Sequence, residues 1–153
     1  PLVSLIGASN ELPIGDDELS ALYDRFLVRK FVGYVSEKNI DKLFSIKTQE
    51  FELDESLKFS VDEILALQKE VREVVIPEKI IQLIKKIRSV IKEEFKENID
   101  ESFSDRRLVK IQKLLKSSAF TNNRQEVNFS DVVLLKHTLW NNPQNREKIA
   151  SLI

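Results

Sequence analysis

Cysteine is missing altogether from these 153 residues, which excludes disulfides, thiolate metal sites and a cysteine nucleophile. Glycine occurs three times and proline four, too seldom for a turn-rich all-β domain, so helices are expected. No apolar run approaches the ~20 residues of a membrane span. The N-terminus has neither the basic region nor the cleavage site of a signal peptide. Lys and Arg total 24 against 25 Asp and Glu, a formal net charge of -1. No global field therefore draws nucleic acid or an anionic membrane. The sequence has no G-x-x-x-x-G-K-[ST] loop to cradle phosphates. It also has no apolar strand ending in Asp-Glu, no metal-ligand cluster and no Ser/His/Asp constellation. The expectation is a cytoplasmic protein with no nucleic-acid partner, no membrane partner and no metal of its own.

What is present suits one folded domain. Hydrophobic residues make up 42% and charged residues 32%, enough for a core and unlike a disordered chain. The run Leu2-Val3-Ser4-Leu5-Ile6 predicts a buried strand over residues 3–8. A polar loop over 9–16 follows, then a helix reaching Arg25 with Asp16, Asp17 and Glu18 in its first turn. A second strand is expected over 26–35. The chain opens inside a strand-like run with no initiator methionine, which predicts a piece of a longer protein. Ser36 opens a short helix carrying Ile40, Leu43 and Phe44, and residues 45–59 read as a loop or loose hairpin.

From residue 60 the pattern is helical. Ser60 and Glu63 match a capping box ahead of Ile64, Leu67 and Val71. Pro77 suits a first helical position. Ile80, Ile84, Ile87, Ile91 and Phe95 form one apolar stripe on a helix reaching about Glu97. Ser104 is the expected cap of a helix with Leu108, Ile111, Leu114, Leu115 and Ala119. Asn122-Asn123-Arg124 reads as a turn. Ser130 is the expected cap of a helix with Val133, Leu134, His137 and Trp140, and Pro143 the expected start of a last one with Ile149 and Leu152. The fold class is mainly α: a two-strand remnant of an α/β core, then a helical bundle. The expected divisions are 1–35, a connecting helix and loop over 36–59, and the helical domain over 60–153.

Few residues carry chemistry. Asn10 ends the first strand, where open α/β sheets bind ligands, although asparagine also suits a plain turn. Arg25 leaves a helix and enters a strand, where it could reach a neighbouring subunit or form a surface ion pair. Ser104-Asp105-Arg106-Arg107 opens a helix, and arginines there oppose its dipole unless an anion uses them. His137 reads as a core or boundary residue, and Phe120, Phe129 and Trp140 as core aromatics. Lys85, Lys86, Lys92 and Glu93 read as a solvated face.

Four segments, in this order, carry a resemblance. They are Ala8-Ser9-Asn10-Glu11-Leu12-Pro13, Leu22-Tyr23-Asp24-Arg25-Phe26-Leu27-Val28-Arg29, Ser104-Asp105-Arg106-Arg107 and Leu134-Leu135-Lys136-His137-Thr138-Leu139-Trp140. Together they resemble the MoxR family of AAA+ ATPases, in its RavA-like branch. The resemblance implies that Asn10 is sensor 1, Arg25 an arginine finger acting in trans, and Arg106 the sensor 2 arginine of the lid. Arg107 is the alternative to Arg106, and Arg29 to Arg25. Many relatives place proline after the sensor asparagine, where this chain has Glu11. The resemblance further implies a parent that is a homo-hexameric, ATP- and Mg2+-dependent, chaperone-like remodeller with a von Willebrand factor A-domain partner. Without the phosphate loop, this stretch alone is expected to bind no cofactor and to be inactive. The rival reading is a stand-alone helical interaction module with no nucleotide role. A helical DNA-binding domain lacks a basic stripe to support it.

Overall fold

A computed structural model describes residues 4–10, 23, 25–46, 52–97 and 104–153. The chain is mainly helical, as its composition predicts. A 3-10 turn, Glu37–Asn39, leads into α1, Ile40–Phe44. A second 3-10 turn, Glu55–Leu57, starts at Asp54, whose carboxylate accepts from the Ser56 amide. Then come α2, Val61–Glu73, α3, Glu78–Glu94, and α4, Asp105–Thr121. The last elements are α5, Phe129–Val132, running into a 3-10 segment Val133–His137, and α6, Arg146–Ser151, behind a 3-10 turn Pro143–Asn145.

The ends of these helices follow from their residues. The Ser60 amide donates to Glu63 Oε2 at 2.7 Å and Ser60 Oγ accepts from the Glu63 amide at 3.2 Å, so both halves of the capping box form. Ser104 Oγ accepts from the Arg107 amide at the start of α4. Pro77 is the cap residue of α3, and Glu78 the first helical one. α4 ends where Asn123 turns left-handed at φ 55, a conformation asparagine tolerates. There the Arg124 amide donates to Ala119 O and the Asn123 amide to Phe120 O, both at 2.9 Å. These are the two bonds of a Schellman ending, and they satisfy carbonyls the helix leaves unpaired.

The stripe on α3 faces inward. Ile80, Ile87 and Ile91 are buried with Ile111, Leu115 and Ala119 of α4, Val132 and Leu135 of the α5 region, Leu139, Trp140, and Ile149 of α6. α2 packs on α4, α4 and α3 pack on α5, and α6 packs on the 3-10 segment. One parallel bridge ties the entry of α3 to the exit of α4. In it the Val75 amide donates to Gln125 O and the Val127 amide to Val75 O, both at 2.9 Å.

Three expectations need correction. No strand ladder forms over 26–35 or over 4–8, the described part of the first expected strand. Leu5, Ile6, Phe31, Val32, Tyr34 and Val35 all face solvent, because a strand is stable only when a neighbour pairs its backbone and covers one face. The cap of α5 is Asn128, not Ser130. Asn128 Oδ1 accepts from the Ser130 amide, and Asp131 completes the box by accepting from the Asn128 amide at 2.9 Å. Phe129 is exposed, since it occupies the first position of α5 and points away from the bundle. Most of the helix expected to end at Arg25 lies outside the described residues.

Candidate functional site

The segment from Arg25 to Phe31 lies against the bundle. Leu27 packs on the core. Arg29 is 5% exposed. One of its terminal nitrogens donates to Trp140 O at 2.5 Å and Asn141 Oδ1 at 2.6 Å, and the other to Tyr23 O at 3.1 Å. Its guanidinium also lies 4.2 Å from the centre of the Tyr23 ring, a cation–π contact. The Arg29 amide donates to His137 O at 2.8 Å. Lys110 of α4 donates to Arg25 O at 2.8 Å. Arg146 at the start of α6 lies over the Phe31 ring at 5.3 Å. A Cβ on Gly7 would touch the Phe26 ring at 3.4 Å, so the segment bearing Asn10 runs beside the one bearing Arg25.

Asn10, Arg25 and Arg106 are exposed, whereas Arg107 is buried at 2% exposure. Among the described residues, no hydrogen bond or ion pair joins the side chains of Asn10, Arg25 and Arg106. Proximity comes through the backbone instead. Lys110 lies one helical turn beyond Arg106, so the Arg25 carbonyl sits one turn from Arg106 along α4. Arg106 therefore presents its charge to solvent from the first turn of α4, while Arg107 is enclosed by the bundle. Of the two arginines weighed for the finger, Arg25 is open and Arg29 is enclosed.

His137 is half-buried, and its pKa is lowered by desolvation, then by the nearby Lys136 and Lys30 charges. Exposed guanidinium groups without a carboxylate partner suit a polyphosphate anion, and among the described residues no carboxylate pairs with the Arg25 or Arg106 side chain. Among the described residues, no group of three or more His, Asp or Glu side chains is placed to hold a metal ion. No helix among them is long and apolar enough to cross a membrane.

Two further features lie outside the nominated set. Asp131 is 1% exposed. It accepts from Arg124 through both oxygens at 2.6 and 2.7 Å, from Ser118 Oγ at 2.6 Å and from the Asn128 amide. The Arg124 bonds lead in holding its carboxyl at about 2. An open groove of about 510 Å³ lies between α3 and α4, with Ile81, Ile84, Leu108 and Ile111 in its wall and Lys85, Arg88 and Lys116 around it. Sequence periodicity missed both the Arg29 clamp and the Asp131 cluster. The N-x-x-D spacing of Asn128 and Asp131 was the available signal for the second. The first joins residues more than a hundred positions apart and left no local signal.

Residues 79–153 match the family described as AAA lid domain. Residues 1–71 match the family described as the MoxR domain in the MoxR-vWA-beta-propeller ternary systems. Two proteins of Methanocaldococcus jannaschii, Uncharacterized protein MJ0812 and Uncharacterized protein MJ0079, are similar to the chain. The first is 36% identical over 151 residues, 98% of this chain and 38% of the relative. The second is 40% identical over 145 residues, 92% of this chain and 34% of the relative. The chain thus spans little more than a third of the length of the curated relatives it matches. The two family matches are adjacent and in this order, which supports a stretch of a MoxR-family AAA+ protein running from the MoxR domain into an AAA lid domain.

Proposed function

We propose that this stretch senses and completes the nucleotide sites of an ATP-hydrolysing AAA+ machine of the RavA-like branch. Asn10 acts as sensor 1 and orients the attacking water. Arg25 acts in trans as the arginine finger on a neighbouring subunit's ATP. Arg106 acts as the sensor 2 arginine of the lid, in preference to Arg107. The observation that carries this reading is the contrast at the start of α4: Arg106 is exposed, one turn from the Lys110 that holds the Arg25 backbone, whereas Arg107 is buried. A guanidinium that stabilises charge on a transferring phosphoryl group has to be presented to the anion, and each such group raises the rate by about 10³–10⁵ where it acts. ATP brings the phosphoanhydride bond, and Mg2+ shields its phosphates. The residues of this stretch supply cationic contacts and orientation. The apolar side chains exposed before residue 61, among them Phe31, Val32 and Tyr34, suit packing against the remainder of a MoxR domain.

On this reading the parent protein is a cytoplasmic homo-hexamer that remodels client proteins as a chaperone does. The family matched by residues 1–71 is described from systems containing a vWA component, which supports a von Willebrand factor A-domain partner. The domain division at 1–35, 36–59 and 60–153 belongs to the same proposal.

The test is made in the full-length protein. Arg25→Ala is expected to depress kcat while sparing the KM for ATP, and Arg106→Ala to raise KM. Subunits carrying Arg25→Ala, mixed with subunits dead in the phosphate loop, are expected to recover activity at mixed interfaces. Mixed hexamers that assemble without exceeding the two inactive parents would remove the trans role.

A further inference from the structure

We propose that Arg29 is a positioning residue that fastens the Arg25-bearing segment to the lid, so that lid and finger move as one body. The inference rests on the reading of Arg25 as the finger and adds what controls it. The segment is tied to the lid at three separate places. Lys110 of α4 grips the Arg25 carbonyl, His137 O receives the Arg29 amide, and the Arg29 guanidinium holds Trp140 O and Asn141 Oδ1. The acceptors belong to a rigid part of the lid, since Leu139 and Trp140 are each 2% exposed within the core. Val28 and Lys30 are exposed on either side, which leaves Arg29 as the buried link between them. Hydrogen bonds from an ionised donor are roughly twice as strong as neutral ones, and water does not compete freely at a buried site.

Arg29 also reaches back to Tyr23 O and stacks on the Tyr23 ring. It therefore braces the turn that contains Arg25 from both sides. The Arg25 side chain stays exposed while its backbone is held. A lid that rotates carries that backbone with it, so the orientation of one subunit's lid sets where its finger meets the neighbouring site. The device needs a fork. A lysine at position 29 offers a point charge in place of a planar fork whose one nitrogen meets the lid at Trp140 O and Asn141 Oδ1 while the other meets Tyr23 O.

The experiment uses the full-length protein with Arg25→Ala, Arg29→Ala, Arg29→Lys and Asn141→Ala. Spin labels on cysteines introduced at Val28 and Lys113 report the distance between segment and lid. Arg29→Ala is expected to lower kcat by about tenfold or more, since small misplacements of a catalytic group cost up to ~10². Its KM for ATP is expected to stay within about twofold, because ground-state binding is left alone. The label distance distribution broadens in parallel, and Arg29→Lys and Asn141→Ala fall between wild type and Arg29→Ala on both readouts. A folded Arg29→Ala protein with wild-type kcat overturns the coupling, as does a fall in kcat with an unchanged label distance. Should Arg29→Ala not fold, wild-type kcat and distances in both milder variants overturn it equally. Arg25→Ala separates the two ideas. If it leaves kcat intact, the finger reading fails and takes the coupling with it; if it lowers kcat and the Arg29 variants do not, the coupling alone fails.

Discussion

The buried charges of this chain act through different partners. Arg29 joins segments remote in sequence, whereas Asp131 closes a local cluster of Arg124, Ser118 and Asn128. Asp131 fixes the start of α5 against the end of α4, so removing its carboxylate strands an arginine and a cap at once. Breaking a buried pair by removing one partner costs about 3–5 kcal/mol, less where the surviving charge reaches water. Arg124 is 26% exposed at its side chain, so Asp131→Ala is expected to cost roughly 3 kcal/mol in a urea titration. The pH dependence has a defined sign. The folded carboxyl titrates at about 2, below the ~3.9 of an unfolded aspartate. Its contribution is complete above pH ~4 and disappears as pH falls toward 2. Acid titration of wild type and Asp131→Ala is expected to show a shallower loss in the variant across that window; parallel curves would assign acid sensitivity to other groups.

At the scale of elements, α3 carries the bundle. Its buried face, Ile80, Ile87 and Ile91, meets α4, the α5 region and α6 in one cluster, while Lys85, Lys86 and Lys92 face solvent. Ile87 is 4% exposed and sits mid-helix. Truncating it removes transfer free energy and leaves a cavity, about 2–5 kcal/mol in comparable sites. Lys86→Ala changes an exposed position and is expected within about 0.5 kcal/mol of wild type. Urea midpoints decide between them, and coincident midpoints would place Ile87 outside the core. The shorter elements depend on their caps. α5 is one turn held by Asn128 and Asp131 before the chain tightens to 3-10 geometry, which explains why apolar spacing alone marked its start two residues late.

Across the whole molecule, burial is uneven. Among the described residues, the fully buried apolar ones all lie between Val74 and Ile149, whereas Phe31, Val32, Tyr34, Val35, Phe44 and Ile46 earlier in the chain face solvent and Leu27 only packs on the edge of the core. Local opening is easiest where few apolar contacts oppose it. In the 153-residue chain, amides of 80–91 and 111–119 are therefore expected to exchange with solvent hydrogen slowest, and those of 31–36 quickly. The Arg29 amide, bonded to His137 O, is expected to stand out as protected beside unprotected neighbours at Val28 and Lys30. Uniform protection over 26–36 would show that this region pairs as a strand after all, with another chain as its partner.

Much was readable from the residues in order. Helical periodicity and capping chemistry are local properties, so the stripe from Ile80 to Phe95, the Ser60 box and the Ser104 cap were all legible within a few residues. The order of four short segments was enough to reach the family. The strands over 3–8 and 26–35 were misread because β structure depends on a partner that an isolated run does not specify. The burial of the arginines was decided only in three dimensions. Arg25 and Arg29 lie four residues apart and Arg106 and Arg107 are adjacent, and nothing in composition or spacing separates the members of either pair. Packing does: it encloses Arg29 against Trp140 and buries Arg107 while leaving Arg25 and Arg106 exposed. Whether a guanidinium faces water or a carbonyl depends on which distant segment folds over it, and that information exists only once the chain has closed on itself.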